Sequence, residues 1–243
     1  RAAALAIVRG RVEPLDVANV EQGGVVRFHS IISLEWGLPS DTDILADTMR
    51  WCGSVRFTIQ GLLCIAKSRV YEGCIRILPP ASEPSLDKES DTRPTTRAAA
   101  AAGAERGDQE WITLEGKFAM VWACNITHCV ADNFTAPKAE LSDGCLDVLV
   151  IRDGVPRSTI LKMFLDMEKG MHTDYECLEY FKAREIVWEP HSQQGLLAID
   201  GELVACGKET EGDLPASWKG VELPMEYAKS HVKVQQGFLR VFS

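Results

Sequence analysis

The sequence predicts an α+β chain: a β-rich sandwich carrying a few packed helices. Three observations predict it. Short runs rich in β-branched and aromatic residues recur from Leu15 to the C-terminal VKVQQGFLRVF, separated by Gly-Gly and Asp-Gly turns. Helical spacing is confined to three stretches. A hydrophobic content of 46% over 243 residues is ample for a core.

Residues Ala2 to Val8 are helical by their alanine and leucine content, and Gly10 ends the run. Strand-like LDVANV follows from Leu15, then VVRFHSIISLEW after the Gly23-Gly24 turn. Asp47 to Arg69 returns to helical spacing. There Val55, Ile59, Leu62 and Leu63 share one face, which core packing would take, while Arg50, Arg56, Lys67 and Arg69 add positive charge. By composition Asp41 and Asp43, just ahead of this helix, suit a capping pair. The strand CIRILPP precedes residues 81–110, whose Pro84, Pro94, charges and Ala98 to Ala102 run mark a disordered surface insertion.

After the insertion, WITLEGKFAMVWACNITH is expected to be a strand pair hinged near Glu115-Gly116. Asp143-Gly144 turns an extended arm into the strand Cys145 to Ile151. Pro156 and Ser158 open a helix that places Ile160, Met163, Phe164 and Met167 on one face, and Gly170 closes it. EYFKAREIVWEP is expected to be one strand. LLAIDGELVAC is expected to be a hairpin, because Asp-Gly between apolar runs supplies the positive φ of a tight turn. Strands on both sides of the insertion predict one β-rich domain interrupted by a loop.

A formal net charge of -9 and a pI near 5.1 argue against bulk-charge binding to nucleic acid or to an anionic membrane, leaving only a local basic patch for such contacts. No apolar run approaches the roughly 18 residues needed to span a bilayer, so any membrane contact is expected to be peripheral. Eight cysteines lie scattered without a CxxC pair. Cys124 and Cys129, with His128 between them, lack a second pair to close a zinc site, so no metal centre is expected. Reduced thiols in a cytoplasmic protein are the expectation. The sequons at Asn125 and Asn133 count against that compartment. The opening RAAALAIVRG starts without methionine as though within a helix, and a fragment is expected.

Four pieces, in order and spacing, resemble the sphingosine kinases within the wider diacylglycerol kinase-like lipid kinases. They are SLEWGLPSDTD at Ser33 to Asp43, APKAELSDGCLDVLVIR at Ala136 to Arg152, LKMFLDMEKGMHTDYEC at Leu161 to Cys177, and AIDGELV at Ala198 to Val204. The resemblance implies a two-domain enzyme: an N-terminal α/β nucleotide-binding domain and a C-terminal β-sandwich that holds the lipid, with ATP between them. Residues 1–12 would then be the end of the first domain and 13–243 the second. The family's GGDGT and G-S-G-N motifs do not occur in this sequence, so no catalytic base is expected here.

By the same resemblance Asp43 receives the sphingoid headgroup, its carboxylate pairing with the ammonium, and Ser33 hydrogen-bonds that headgroup. Arg50 and Arg56 reach ATP phosphates. Asp200, Gly201 and Glu202 form a hairpin tip that faces the nucleotide, directly or through Mg2+ and water. The implied reaction is transfer of the ATP γ-phosphoryl group to the primary hydroxyl of sphingosine. A ceramide or diacylglycerol kinase and a non-catalytic lipid-binding module are the alternatives. Family members usually carry alanine where Glu35 stands, and an acidic ESEK-like run where Leu45 to Thr48 read LADT. The basic amphipathic helix also suits a peripheral membrane surface or a calmodulin-like partner.

Overall fold

The computed structural model describes residues 2–80, 110–130 and 133–242. The expected disordered insertion therefore lies, apart from Glu110, outside the described residues. Helix α1 (Ala2–Arg9) ends at Gly10, whose φ of 68° closes it. It leads into β1 (Val12–Gln22), and Gly23-Gly24, both at positive φ, turn the chain into β2 (Val25–Ser30). Strand β3 (Ser33–Gly37) passes directly into α2 (Leu38–Leu45), a 3-10 segment (Ala46–Cys52) and α3 (Val55–Lys67). Then come β4 (Tyr71–Leu78), β5 (Ile112–Cys124), β6 (Leu146–Arg152) and α4 (Arg157–Asp166). Strands β7 (Leu178–Ala183), β8 (Glu185–Pro190), β9 (Leu196–Ile199), β10 (Glu202–Cys206) and β11 (Ser230–Phe242) complete the chain.

The strands join in one curled antiparallel sheet in the order β10-β9-β3-β5-β4-β8-β11-β1-β2, with β6 pairing β5 and β7. Long β5 is the branch point. Its first half pairs β4, from Ile112 opposite Ile77 to Phe118 opposite Tyr71, and its second half lies between β3 and β6. Because side chains alternate along a strand, the sheet buries two separate faces. Leu34, Trp36, Ile75, Val121, Val148, Trp188 and Leu197 fill the inside of the curl. Met120, Trp122, Leu149 and Ile151 point the other way, onto Met163 and Met167 beyond it. A third cluster packs Ile44 and Leu45 of α2 on Ala198 and Leu203 of the β9–β10 hairpin.

The expected β-rich fold is present, with four departures in detail. WITLEGKFAMVWAC is one strand and not a pair, since Gly116 (φ 129°) and a register shift between Phe118 and Met120 let it bend without turning back. EYFKAREIVWEP is two strands: β7 pairs β6 while β8 pairs β4 and β11, so the chain changes partners at Arg184. Asp41 and Asp43 are inside α2 and do not cap a later helix. Gly37 at φ 83°, where a Cβ would lie 2.6 Å from the Ala119 carbonyl oxygen, turns the chain out of β3, and Pro39 preorganises the first turn.

The fourth departure is the orientation of α3. Its buried residues are Gln60, Gly61, Cys64 and Ile65. Val55, Ile59, Leu62 and Leu63 face outward, 57, 36, 42 and 47% exposed, with Trp51 beside them at 85%. Gly61 explains the choice. A Cβ there would meet the Phe164 ring at 3.1 Å, so the bare backbone admits α4 close against this side, and the apolar stripe is turned away. None of the described helices is long and apolar enough to cross a membrane.

Candidate functional site

Five segments bring the candidate residues to one end of β3: the 31–33 turn, α2, the following 3-10 segment, the start of α3 and the β9–β10 tip. Glu202 pairs with Ile199 across a two-residue turn in which both Asp200 (φ 51°) and Gly201 (φ 82°) take left-handed backbone. Gly201 is the point of contact with α2, since a Cβ on it would sit 3.3 Å from Asp43 Oδ2. The tip is thus pressed against the headgroup carboxylate expected from the sequence.

Asp200 is spent on structure. Its Oδ1 accepts hydrogen bonds from Ser30 Oγ (2.7 Å), Ile32 N (2.9 Å) and Ser33 N (3.0 Å), and its Oδ2 accepts one from Ile31 N (2.9 Å). Three donors on Oδ1 and one on Oδ2 clamp the tip to the β2–β3 turn. Asp200 thereby positions the tip that the resemblance turns toward the nucleotide, and Glu202 beside it is exposed.

Asp43 is different. Among the described residues no hydrogen bond reaches its carboxylate. Burial raises it to about 6, the charge of Asp47 adds to the rise, the Arg56 guanidinium opposes it, and Glu202 adds again. Asp47, which the sequence reading did not single out, organises the cationic side. Arg50 donates to it through Nε at 3.0 Å and Nη2 at 2.7 Å, Arg56 Nη1 stands 4.0 Å away, and the Trp218 indole donates at 3.1 Å. Burial pushes the Asp47 carboxyl up, but the Arg50 hydrogen bonds and charge outweigh it and hold it below the usual range. The i, i+3 spacing of Asp47 and Arg50 on a helical turn was the available signal. Arg56 Nε is buried without a partner, a donor that an incoming phosphate oxygen would satisfy.

Ser33 lies one step from this cluster. Its N–H donates to Asp200, and its hydroxyl donates to Glu35 Oε1 at 3.0 Å. Asp41, two residues from Asp43, points to the other side of α2. It is buried, accepts the Tyr71 hydroxyl at 2.5 Å and is raised to about 6 by burial, opposed by that hydrogen bond. A cleft of about 310 Å³, lined by Arg69, Tyr71, Gln194, Thr210 and Asp213, lies on that side and not at Asp43. Of the residues expected from the sequence, Ser33, Asp43, Arg50, Arg56, Asp200, Gly201 and Glu202 are therefore brought into one neighbourhood, while Asp41 serves a separate one.

The chain matches the YegS C-terminal NAD kinase beta sandwich-like domain over residues 106–219. Its fold is shared with a solved diacylglycerol kinase of Bacillus anthracis: TM-score 0.53, 17% identity, covering 99% of this chain and 60% of that one. Both matches give the fold, a β-sandwich-like domain. More particularly, the chain is homologous to the sphingosine kinases. It is 32% identical to sphingosine kinase 1 of Arabidopsis thaliana over 99% of its length and 51% of the relative's. It is 28% identical to human sphingosine kinase 1 over 90% of its length and 62% of the relative's. The chain spans about half the length of the curated relatives it matches.

Proposed function

We propose that this chain is the lipid-holding half of a sphingosine kinase, which transfers the γ-phosphoryl group of ATP to the primary hydroxyl of sphingosine or a close sphingoid base. The observation that carries this reading is Asp43: a carboxylate with no hydrogen bond from the described residues, partly desolvated, pressed against a glycine tip and within the electrostatic reach of the Arg56 guanidinium. An ammonium beside a primary hydroxyl is the headgroup that such a carboxylate favours, and ceramide and diacylglycerol carry no such cation.

Phosphoryl transfer needs positive charge on the transferred group and an oriented acceptor. Arg50 and Arg56 are placed to take phosphate oxygens, with Asp47 holding both guanidinium groups. The donor set fits ATP better than it fits a metal site of its own. Among the described residues no cluster of three metal-ligating side chains occurs, and Glu202 is the single free carboxylate at the tip. It fits Mg2+ only as an ion already carried by the ATP phosphates, where the ion would neutralise developing charge. Ser33 and Asp43 orient the acceptor hydroxyl, and Asp200 keeps the tip in place. The proton-accepting base belongs to the part of the enzyme that supplies the glycine-rich motifs.

The outward stripe of α3 supports peripheral membrane binding: Trp51, Val55, Ile59, Leu62 and Leu63 present apolar surface beside Lys67. A calmodulin-like partner would use the same residues, so the two contacts would be mutually exclusive. Transfer of labelled phosphate from ATP to sphingosine, ceramide and diacylglycerol, by the full-length protein containing this chain, tests the activity. Selective labelling of sphingosine supports the kinase. No labelling of any lipid by folded protein favours a non-catalytic lipid-binding module.

A further inference from the structure

Arg50 and Arg56 stand on either side of an irregular joint. The 3-10 segment Ala46–Cys52 that precedes α3 leaves helical backbone at Met49 (φ -118°, ψ 30°), and Gly53 at φ 64° ends it. A segment of this kind lacks the continuous hydrogen-bond ladder that stiffens an α-helix. Asp47 bridges the joint instead: it accepts two hydrogen bonds from Arg50, before Gly53, and stands 4.0 Å from Arg56, after it. The Arg50 side chain is 65% exposed, so its direction depends on that bridge.

What fixes Asp47 comes from a distant part of the chain. Residues 207–229 join β10 to β11, and the 3-10 turn Glu211–Asp213 is their one helical element. The segment is nevertheless fastened. Near its start Thr210 Oγ1 accepts the Gly195 N–H at 2.8 Å, just ahead of β9, and Asp213 pairs with Arg69 at 2.6 Å, just beyond α3. Leu214, Trp218 and Leu223 then join the apolar cluster that holds Ile44 and Leu45 of α2. From that packed position the Trp218 indole N–H donates to Asp47 Oδ2 at 3.1 Å. The segment thus ties the arginine bridge to the sheet and to α2.

An indole suits this position. It gives one neutral hydrogen bond, so it orients the carboxylate without bringing a third cation against the two arginines. The oxygens divide the contacts: Oδ1 takes Arg50 Nε, and Oδ2 takes both Arg50 Nη2 and the indole. A carboxylate held at Oδ2 keeps its plane, and a fixed plane is what a two-point guanidinium pair requires. Against burial, which raises the Asp47 carboxyl, the Arg50 hydrogen bonds and charge and then the Trp218 hydrogen bond keep it below the usual range.

We propose that Trp218 is a positioning residue for the nucleotide: acting through Asp47, it presets the Arg50 and Arg56 guanidinium groups across the Gly53 joint for the phosphates of ATP. The inference rests on the reading of those arginines as phosphate ligands. It adds the 207–229 segment, which supplies none of the expected ligands, to the elements that set ATP affinity.

The test uses full-length protein containing this chain, as wild type, Trp218→Phe, Asp47→Ala and the double variant. The readouts are the Kd for ATP with Mg2+ in the absence of lipid, the KM for sphingosine, the Tm, and the Arg50 Nε–H signal in protein labelled with 15N-arginine, assigned by its absence in Arg50→Lys. Trp218→Phe keeps a ring for packing and loses only the donor, so the Kd for ATP is expected to rise about fivefold, the worth of one net hydrogen bond. The sphingosine KM stays near wild type, and Tm falls by no more than about 4 °C. On the Asp47→Ala background the same substitution adds nothing, because its route to the arginines is gone. An unchanged Kd for ATP, an equal loss on both substrates, or additive effects in the double variant overturns the proposal. If wild type binds no ATP, the phosphate reading fails, and the Arg50 signal still decides the positioning: it exchanges with water several-fold faster in Trp218→Phe, whereas an unchanged rate overturns it.

Discussion

Asp200 and Asp43 meet at one glycine and lead opposite lives. Asp200 accepts four hydrogen bonds from the 30–33 segment, three on Oδ1 and one on Oδ2. Asp43, against the next residue of the tip, has no hydrogen bond from the described protein and is raised to about 6 by burial and by neighbouring carboxylates. A carboxylate saturated by backbone N–H groups holds a shape. One left desolvated and unpaired waits for a cation. The difference separates the structural acid from the functional one within a single turn.

Removing each acid in turn should break the comparison in opposite ways. The largest effect is expected from Asp200→Ala, which strands three backbone N–H groups and the Ser30 hydroxyl. Denaturant unfolding should report a loss of about 3 kcal/mol or more, and turnover should fall because the tip detaches from Asp43. If Asp200→Ala unfolds at the wild-type denaturant concentration, the clamp has been misassigned. Asp43→Asn should do the reverse, keeping Tm within about 2 °C of wild type while kcat/KM for sphingosine falls on the order of 100-fold. The same acid predicts a pH profile. Asp43 is ionised above about 6, so kcat/KM for sphingosine should decline as pH drops through 6, and that limb should vanish in Asp43→Asn.

A smaller effect sharpens the cationic side. Arg56→Ala should raise KM for ATP roughly tenfold while leaving lipid KM near wild type. Equal changes in both constants would mean that Arg56 supports the fold instead. The smallest effect concerns Glu35, whose acid rises from 4.5 to about 8 on folding. Between those values the folded chain keeps a proton that the unfolded chain has lost, so stability falls as pH rises through this window and levels off above it. Glu35→Gln removes the dependence. Its Tm should match wild type at pH 5 and exceed it by about 3 °C or more at pH 8.5. A gap that does not change with pH would place Glu35 in contact with solvent.

Much of this was legible in the sequence, for reasons that differ by element. The β9–β10 hairpin was readable because Asp-Gly between apolar runs specifies its own turn. The β1–β2 turn at Gly23-Gly24 was readable in the same way, whereas α4 stops at Asp166 and Gly170 closes the 3-10 turn Met167–Lys169 that follows it. Helix α2 was not expected, although Gly37 followed by Pro39 marks its start, because Asp41 and Asp43 mimic caps of the next helix. The facing of α3 was also hidden. Its apolar stripe is the stronger pattern, but the Gly61 contact with Phe164 decides which side is buried, and that contact is tertiary. Strand partners were illegible at β5 and at the β7–β8 junction, where one run serves two neighbours in the sheet.

The site follows the same division. Asp43, Arg50, Arg56 and the tip were reached through motif resemblance, whereas the clamp that Asp200 makes on the 30–33 segment shows only in the assembled structure. Asp47 and the placement of Glu35 opposite Trp122 carry no motif. They emerge only when α2 and the strands β3, β5 and β9 are assembled.

The most direct measurement is kcat/KM for sphingosine and for diacylglycerol, with labelled ATP, in full-length wild type and Asp43→Asn. The account predicts strong wild-type preference for sphingosine and its loss in the variant with folding intact. Unchanged sphingosine turnover in folded Asp43→Asn would contradict it.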